Sequence, residues 1–267
     1  MYCECCRSTI CMACIKQCAD QQLFKMRAHI VLKRFIRSFC SARMAGTTYT
    51  TVSEGNQFLD HITEKGLDNR SIIKRFNEVS SKYNEALGSV DYMGPRTLAN
   101  ILAELHPSGR GNVRVLDVAA GTGLVAVELR KKGFVNNDGL EPSEQMLAEA
   151  KRNNLYGRYI CDLVGENTFD IENDTYSAVT MSALSVEIFK KLPVKALEEL
   201  ARVVKPGGHI LMGHYDFAFD SEVLKANFRS LEGRGLWKLI EKRSTPDFTK
   251  GKHGLVSIHR VMKPAQI

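Results

Sequence analysis

A glycine turn between a buried strand and a helix is the stretch of this chain best suited to bind a ligand. Residues 114–126 read R-V-L-D-V-A-A-G-T-G-L-V-A: β-branched valines give way to small residues, then to apolar residues at helical spacing. That order predicts a buried parallel strand, a sharp turn and a helix N-terminus. Gly121 and Gly123 let the backbone bend and approach a ligand closely. The free N–H groups at the helix start then face that ligand.

Two classes of ligand are compatible with this turn. Gly121-x-Gly123-x-x-Ala126 satisfies the dinucleotide-binding fingerprint. Asp117, at the end of the strand, favours the other class, because a carboxylate there disfavours a pyrophosphate and suits a ligand with an amino group. A further signature follows, in which V-V-K-P-G-G at residues 203–208 leads into an apolar run.

In these residues the chain resembles the class I S-adenosylmethionine-dependent methyltransferases. Their usual pattern is acidic-x-Gly-x-Gly-x-Gly, and a K-P-G-G turn before the fifth strand is frequent among them. Ala119 stands at the first glycine, which is a mild departure. The resemblance covers roughly residue 74 to the C-terminus. The segments Y-N-E-A-L, Y-M-G-P-R and G-L-W further resemble the small methyltransferase-like proteins related to the one named for the Williams–Beuren syndrome region.

The resemblance implies an α/β fold of three layers, αβα, with a mostly parallel seven-stranded, Rossmann-like sheet and an N-terminal helical cap. It implies S-adenosylmethionine as the cofactor and methyl transfer to a small-molecule or protein acceptor. The two alternatives are an NAD(P)-dependent oxidoreductase and a non-catalytic S-adenosylmethionine-binding module.

The resemblance also implies a set of cofactor-binding residues. Glu141 ends the second strand, where a carboxylate accepts hydrogen bonds from both ribose hydroxyls. Asp162 corresponds to an acid that accepts from the adenine amino group, although a turn-forming role explains it as well. Tyr83 corresponds to a tyrosine over the cofactor, although packing between the cap and the core explains it as well. The whole predicted set is Tyr83, Asp117, Ala119, Gly121, Gly123, Glu141, Asp162 and Leu163.

The acceptor side is less defined. The loop S-A-L-S after the predicted fourth strand, 176–181, lacks the N/D-P-P-Y motif of enzymes that methylate exocyclic amines of nucleic-acid bases, and it carries no obvious acid or base. His214 follows the fifth strand, where it could orient or deprotonate a substrate or simply be a solvated loop histidine. The catalytic residues therefore stay unassigned.

Further elements frame this core. Helices are predicted from residue 69, over 95–105 and over 193–204, whereas the Thr-rich stretch 44–57 is predicted to be flexible. The chain is predicted to end in an antiparallel pair of strands, 236–242 and 254–263, joined by a polar loop over 244–253. The expected organisation is an extension over 1–43, a helical cap region over 44–110 and the methyltransferase core over 111–267.

The first 43 residues differ in composition from the rest. They hold seven of the eight cysteines, in two C-x-x-C pairs among others, and eight Lys and Arg against two acids. A zinc site is one interpretation. A reduced disordered tail, or a start of translation at Met44, is favoured, and no metal is predicted. Residues 21–43 lack acids, which is also typical of a mitochondrial transit segment or a basic surface helix.

Composition limits the function further. The 267 residues are 44% hydrophobic, which suffices for one α/β core, and no window of 18 apolar residues predicts a membrane span. Residues 44–267 hold 29 basic and 28 acidic residues, so that they carry no strong nucleic-acid signature. A core with only Cys161 fits a reducing compartment. The cytoplasm is therefore expected, with the mitochondrion as the alternative.

Overall fold

The computed structural model describes residues 48–262. Within this range the chain contains eight α-helices, seven strands and two short 3-10 helices, Arg110–Asn112 and Asp216–Asp220. The helices are α1 (Val52–Ile62), α2 (Asn69–Ser89), α3 (Gly94–Leu105), α4 (Leu124–Lys131), α5 (Glu144–Arg152), α6 (Val186–Lys190), α7 (Val194–Val203) and α8 (Glu222–Gly233). The strands are β1 (Arg114–Val118), β2 (Asn136–Leu140), β3 (Tyr159–Ile160), β4 (Tyr176–Ser182), β5 (Val204–Tyr215), β6 (Trp237–Thr249) and β7 (Lys252–Val261).

All seven strands belong to one sheet, in the order β3-β2-β1-β4-β5-β7-β6. Neighbouring strands from β3 to β5 are parallel. Only β7 runs against its neighbours β5 and β6. The predicted mostly parallel seven-stranded sheet with a final antiparallel pair is therefore confirmed.

Alternate residues of the central strands enter two separate apolar layers. In β1, Val115 packs in the layer that contains Leu98 of α3 and Leu129 of α4. Its neighbour Leu116 packs in the opposite layer, which contains Leu200 of α7. A strand covered on both faces is expected to be mainly apolar, and three of the five residues of β1 are Val or Leu. The sheet is thus the middle of the predicted αβα sandwich, and α3 belongs to one of its outer layers.

The first helix begins earlier than predicted. Thr51 accepts a hydrogen bond from the backbone N–H of Glu54, and the Glu54 carboxylate accepts from the backbone N–H of Thr51. This reciprocal capping box fixes the N-terminus of α1 at Val52. The prediction that residues 44–57 are flexible is therefore wrong from Val52 onward. The spacing Thr-x-x-Glu was the signal that the polar composition concealed.

The C-terminal hairpin is also longer than predicted. β6 continues to Thr249 and β7 starts at Lys252, so most of the predicted polar loop over 244–253 is strand. Gly251, with φ +73°, makes the tight turn. Phe248 is fully buried and covers Gly254, where an added Cβ would lie 2.5 Å from the Cβ of Phe248. Alternation along β6 thus buries some residues of a segment whose composition is polar.

The K-P-G-G segment lies inside β5. Val204 pairs with Tyr176 and His209 pairs with Ala178, so the intervening residues form an irregularity in the strand. Gly207 has φ +80°, and a Cβ on Gly208 would lie 2.6 Å from the carbonyl oxygen of Ser177. The two glycines are therefore needed for the bend and for its close approach to β4.

Several predictions fall outside the described residues. They concern the cysteine pairs, the basic segment 21–43 and their alternatives. Among the helices that the structure describes, none is both long enough and apolar enough to cross a lipid bilayer.

Candidate functional site

The first cavity, of about 660 Å³, lies where β1, β2 and β4 end and where helix α2 crosses above them. The carboxyl ends of parallel strands are the usual place for a ligand in such sheets. Five of the predicted residues line this cavity, namely Tyr83, Ala119, Gly121, Glu141 and Leu163. The rest of its wall is mainly apolar and includes Ile72, Ile73, Phe76, Leu140, Pro142, Val164 and Ile188.

Glu141 supplies a buried carboxylate to this wall. Its side chain is 7% exposed. Oε2 accepts a hydrogen bond from the backbone N–H of Gly121 at 3.0 Å, and Oε1 accepts from that of Ser143 at 2.9 Å. Burial raises the pKa of Glu141 to about 7, although both N–H donors act in the opposite direction. Each oxygen keeps a lone pair that can accept a hydrogen bond from a ligand.

The glycine turn, residues 119–123, contains three residues with positive φ. Ala119 and Gly121 have φ +54°, and Gly123 has φ +88°. A Cβ on Gly121 would project toward the cavity, 3.8 Å from the ring of Tyr83. A Cβ on Gly123 would instead lie 2.4 Å from Leu155 in the protein interior. Gly121 therefore keeps space for a ligand, whereas Gly123 allows helix α4 to pack closely against the segment that follows α5.

Asp117 does not line the cavity. It is 1% exposed, Tyr156 Oη donates to its Oδ2 at 2.5 Å, and Thr180 Oγ1 donates to its Oδ1 at 2.9 Å. Burial raises the pKa of Asp117 to about 7, against the effect of these two hydroxyls. The carboxylate thus joins β1 to β4 and to Tyr156, beneath the glycine turn.

Asp162 also lies outside the wall. Its Oδ1 accepts a hydrogen bond from the backbone N–H of Leu163 at 2.7 Å and another from Nδ2 of Asn167 at 2.9 Å. These contacts match the turn-forming alternative. Leu163 itself lines the cavity.

Tyr83 lies between the cap and the cavity. Its half-buried ring lines the cavity, and it also packs against Phe58 and Phe76, with ring centroids 6.3 and 5.9 Å away. Burial raises the pKa of the Tyr83 hydroxyl, with a further contribution from the nearby Glu141. The ring therefore belongs both to the cap and to the wall of the first cavity.

Two asparagines of α2, which sequence reasoning missed, tie this helix to the core. Asn77 Oδ1 accepts from Ser143 Oγ at 2.8 Å and from the backbone N–H of Gln145 at 3.1 Å. Thr122 Oγ1 donates to Asn84 Oδ1 at 2.5 Å. The available signal was their spacing of seven residues, which places both on one helix face beside apolar residues.

A second cavity, of about 480 Å³, adjoins the first. Both cavities are lined by Phe76, Tyr83, Ala183, Leu184 and Ser185. The second cavity extends toward α1 and the ends of β5 and β6, with the further lining residues Leu59, Ile62, Thr63, Leu87, Tyr92, Val186, His214, Tyr215 and Thr249. The two cavities therefore share part of their walls.

His214 is held in one uncharged form. Its Nδ1 accepts from the backbone N–H of Tyr215 at 2.7 Å, so Nε2 carries the proton and donates to the Leu184 carbonyl oxygen at 2.5 Å. Burial lowers the pKa of His214 to about 4, although the bond to Leu184 raises it. Both ring nitrogens are occupied, which argues against His214 as the group that deprotonates a substrate.

The chain is similar to known methyltransferases. Residues 115–208 match the family model described as a methyltransferase domain. Methyltransferase-like protein 27 of Homo sapiens is 32% identical over 160 residues, which cover 58% of this chain and 64% of that protein. Demethylmenaquinone methyltransferase of Clavibacter sepedonicus is 32% identical over 139 residues, which cover 51% of this chain and 55% of that protein.

A solved structure shows the same fold. The TehB-like S-adenosylmethionine-dependent methyltransferase of Corynebacterium glutamicum has a TM-score of 0.51 at 16% identity, over 68% of this chain and 97% of that chain. The predicted resemblance to class I S-adenosylmethionine-dependent methyltransferases is thereby confirmed. The chain spans less than two thirds of the length of these two curated relatives.

Proposed function

We propose that this chain, whose residues 115–208 match a methyltransferase domain, is an enzyme that transfers a methyl group from S-adenosylmethionine. The cofactor would occupy the first cavity and the acceptor the second. The observation that carries the proposal is that the two cavities share five lining residues. An acceptor in the second cavity would therefore lie beside a cofactor in the first.

The residues of the first cavity fit this cofactor. Glu141 presents two oxygens with lone pairs to a ribose, and adjacent cis hydroxyls can both donate to one carboxylate. Gly121 leaves free the space that a Cβ would fill beside Tyr83. Leu163 and Val164 offer an apolar surface for a flat base. Of the predicted set, Asp117 and Gly123 would support the site from below rather than contact the cofactor.

When bound, the cofactor supplies a methyl group on a positively charged sulfur that is a good leaving group. The protein has to hold the cofactor and the acceptor in line and to exclude water. Helix α2 covers the site, and Asn77 and Asn84 fix it to the core. Since both ring nitrogens of His214 are already hydrogen-bonded, His214 would not take a proton from the acceptor.

A small molecule is the favoured acceptor. One relative is named for a small-molecule substrate, demethylmenaquinone. The lining of the second cavity also suits a small ligand, since such sites are lined mainly by hydrophobic and aromatic side chains with a few polar groups.

Calorimetry tests the cofactor assignment. S-Adenosylhomocysteine should bind to the purified full-length chain, and NAD and NADP should not. Binding of a nicotinamide dinucleotide in its place would overturn the proposal. A non-catalytic module would bind S-adenosylhomocysteine and yet release none from S-adenosylmethionine across a panel of acceptors.

We also propose that residues 1–43 are dispensable for this activity. All the residues of both cavities lie after residue 58. A chain that begins at Met44 should therefore bind S-adenosylhomocysteine with unchanged affinity, and a large loss of affinity would refute this.

For the compartment we propose the cytoplasm, supported by Cys161, which is a free cysteine in the part of the chain that the structure describes.

A further inference from the structure

The wall of the second cavity carries no formal charge. None of its fourteen lining residues is Asp, Glu, Lys or Arg. The one histidine, His214, is uncharged because Nδ1 accepts a hydrogen bond and its pKa is lowered to about 4. Burial of a charged group without a partner is costly, so this wall disfavours a charged acceptor group.

Most of the polar side chains in this wall are already hydrogen-bonded within the protein. The Thr63 hydroxyl donates to the carbonyl oxygen of Leu59 at 2.7 Å. The remaining bonded groups are those of Tyr92, His214, Tyr215 and Thr249. These groups are satisfied without a ligand.

Two hydroxyls remain without such a partner. Ser185 directly precedes α6, but its hydroxyl does not cap that helix. The residue is 5% exposed, and its Oγ has no hydrogen-bond partner among the described residues. The Tyr83 hydroxyl likewise makes no hydrogen bond to residues 48–262. A buried polar group without a partner, such as the Ser185 hydroxyl, usually has an unseen one.

Both of these residues line both cavities. Ser185 and Tyr83 therefore belong to the junction of the two cavities. The apolar side chains of Leu59, Ile62 and Leu87 line the second cavity alone. A ligand that contacted both the hydroxyl-bearing residues and the apolar side chains would direct its polar end toward the first cavity.

We propose that the acceptor is an uncharged, mainly apolar small molecule whose reacting polar group is hydrogen-bonded at the junction by Ser185 and Tyr83. This inference rests on the proposed methyl-transfer function. It predicts that the second cavity selects against carboxylates and ammonium groups, and that Ser185 orients the acceptor.

A matched series of biphenyls tests the inference by calorimetry on the full-length chain, with and without S-adenosylhomocysteine. The series is 4-phenylphenol, biphenyl, 4-phenylbenzoate and 4-phenylbenzylamine. We expect 4-phenylphenol to bind at least about tenfold more tightly than either charged compound. Ser185→Ala and Tyr83→Phe should each weaken 4-phenylphenol by about threefold to tenfold, as expected for one neutral hydrogen bond. Ser185→Ala should leave the affinity for biphenyl unchanged.

Ser230→Ala, at an exposed position of α8, is the matched control and should change nothing. Equal or tighter binding of a charged compound would overturn the inference, as would no binding of 4-phenylphenol or an equal effect of Ser185→Ala on biphenyl. Failure of S-adenosylhomocysteine to bind would instead count against the proposed function. The two failures are thus distinguishable in one set of titrations.

Discussion

The backbone N–H of Gly121 donates a hydrogen bond to Oε2 of Glu141 over 3.0 Å. This bond joins the glycine turn after β1 to the acidic end of β2, twenty residues later. Because the second carboxylate oxygen is held by the N–H of Ser143, the orientation of the carboxylate is fixed before any ligand arrives. Such preorganisation reduces the entropy lost on binding.

Replacement of Glu141 by alanine should weaken the binding of S-adenosylhomocysteine by roughly tenfold to a hundredfold. Hydrogen bonds to a charged group contribute about 1.5–3 kcal/mol, which corresponds to that range. Calorimetric titration measures it. Glu172→Ala, which removes an exposed acid in the segment between β3 and β4, is the control and should bind normally. Unchanged affinity in a folded Glu141→Ala protein would show that another group holds the ribose.

The two glycines of the turn should respond differently to alanine. Gly121→Ala adds a methyl group toward the cavity and so should abolish cofactor binding, with a stability loss of about 1–2 kcal/mol from its positive φ. Gly123→Ala carries the same backbone cost and also overlaps Leu155, so it should lose about 2–5 kcal/mol. Urea unfolding and calorimetry on both variants measure the two effects. Equal losses of stability would contradict this division of roles.

Asp117 should make the protein less stable as the pH rises toward neutral. Its pKa in the folded state is about 7, above the ordinary value of 3.8 for Asp, so the folded state binds a proton that the unfolded state has lost. The contribution of Asp117 to the free energy of unfolding is complete below its pKa in the unfolded state. This contribution is lost as the pH rises through its pKa in the folded state. Between pH 5 and pH 7 the wild-type protein should lose about 2 kcal/mol more than Asp117→Asn. Urea unfolding at both pH values tests this, and parallel losses would refute it.

Asn77→Ala should loosen the helix that covers the site. The substitution leaves the buried Ser143 hydroxyl and the Gln145 N–H without their acceptor, at a cost of about 1–2 kcal/mol. Asn100→Ala, at an exposed position of α3, corrects for the higher helix propensity of alanine. The measurement is the difference in unfolding free energy between the two variants. A difference near zero would mean that Asn77 contributes nothing to the attachment of α2.

The sequence by itself determined the central strand, the glycine turn and the acid at the end of β2. Each of these depends on local rules, because β-branched residues favour strands and only small residues adopt a sharp turn. The family resemblance then predicted that these strands belong to a mostly parallel seven-stranded sheet. In the same way, the position of Glu141 in the cavity wall could be predicted without knowledge of any contact.

Local rules predicted secondary structure less reliably where a side chain caps a helix or where buried and exposed side chains alternate along a strand. The Thr51 and Glu54 capping box and the buried Phe248 lie in segments whose polar composition suggested loops. In both cases a few residues determine the secondary structure, and the average composition of the segment does not reveal them.

Only the tertiary structure decided how side chains distant in sequence are paired. Asp117 is bonded by Tyr156 and Thr180, which follow it by 39 and 63 residues, and this moves its carboxylate away from the ligand site. Likewise, His214 is kept uncharged by burial, and the second cavity is built from segments spread between Leu59 and Thr249. Such pairings depend on how the helices pack on the sheet, because packing determines which of many chemically similar side chains come into contact. No local pattern in the sequence encodes them.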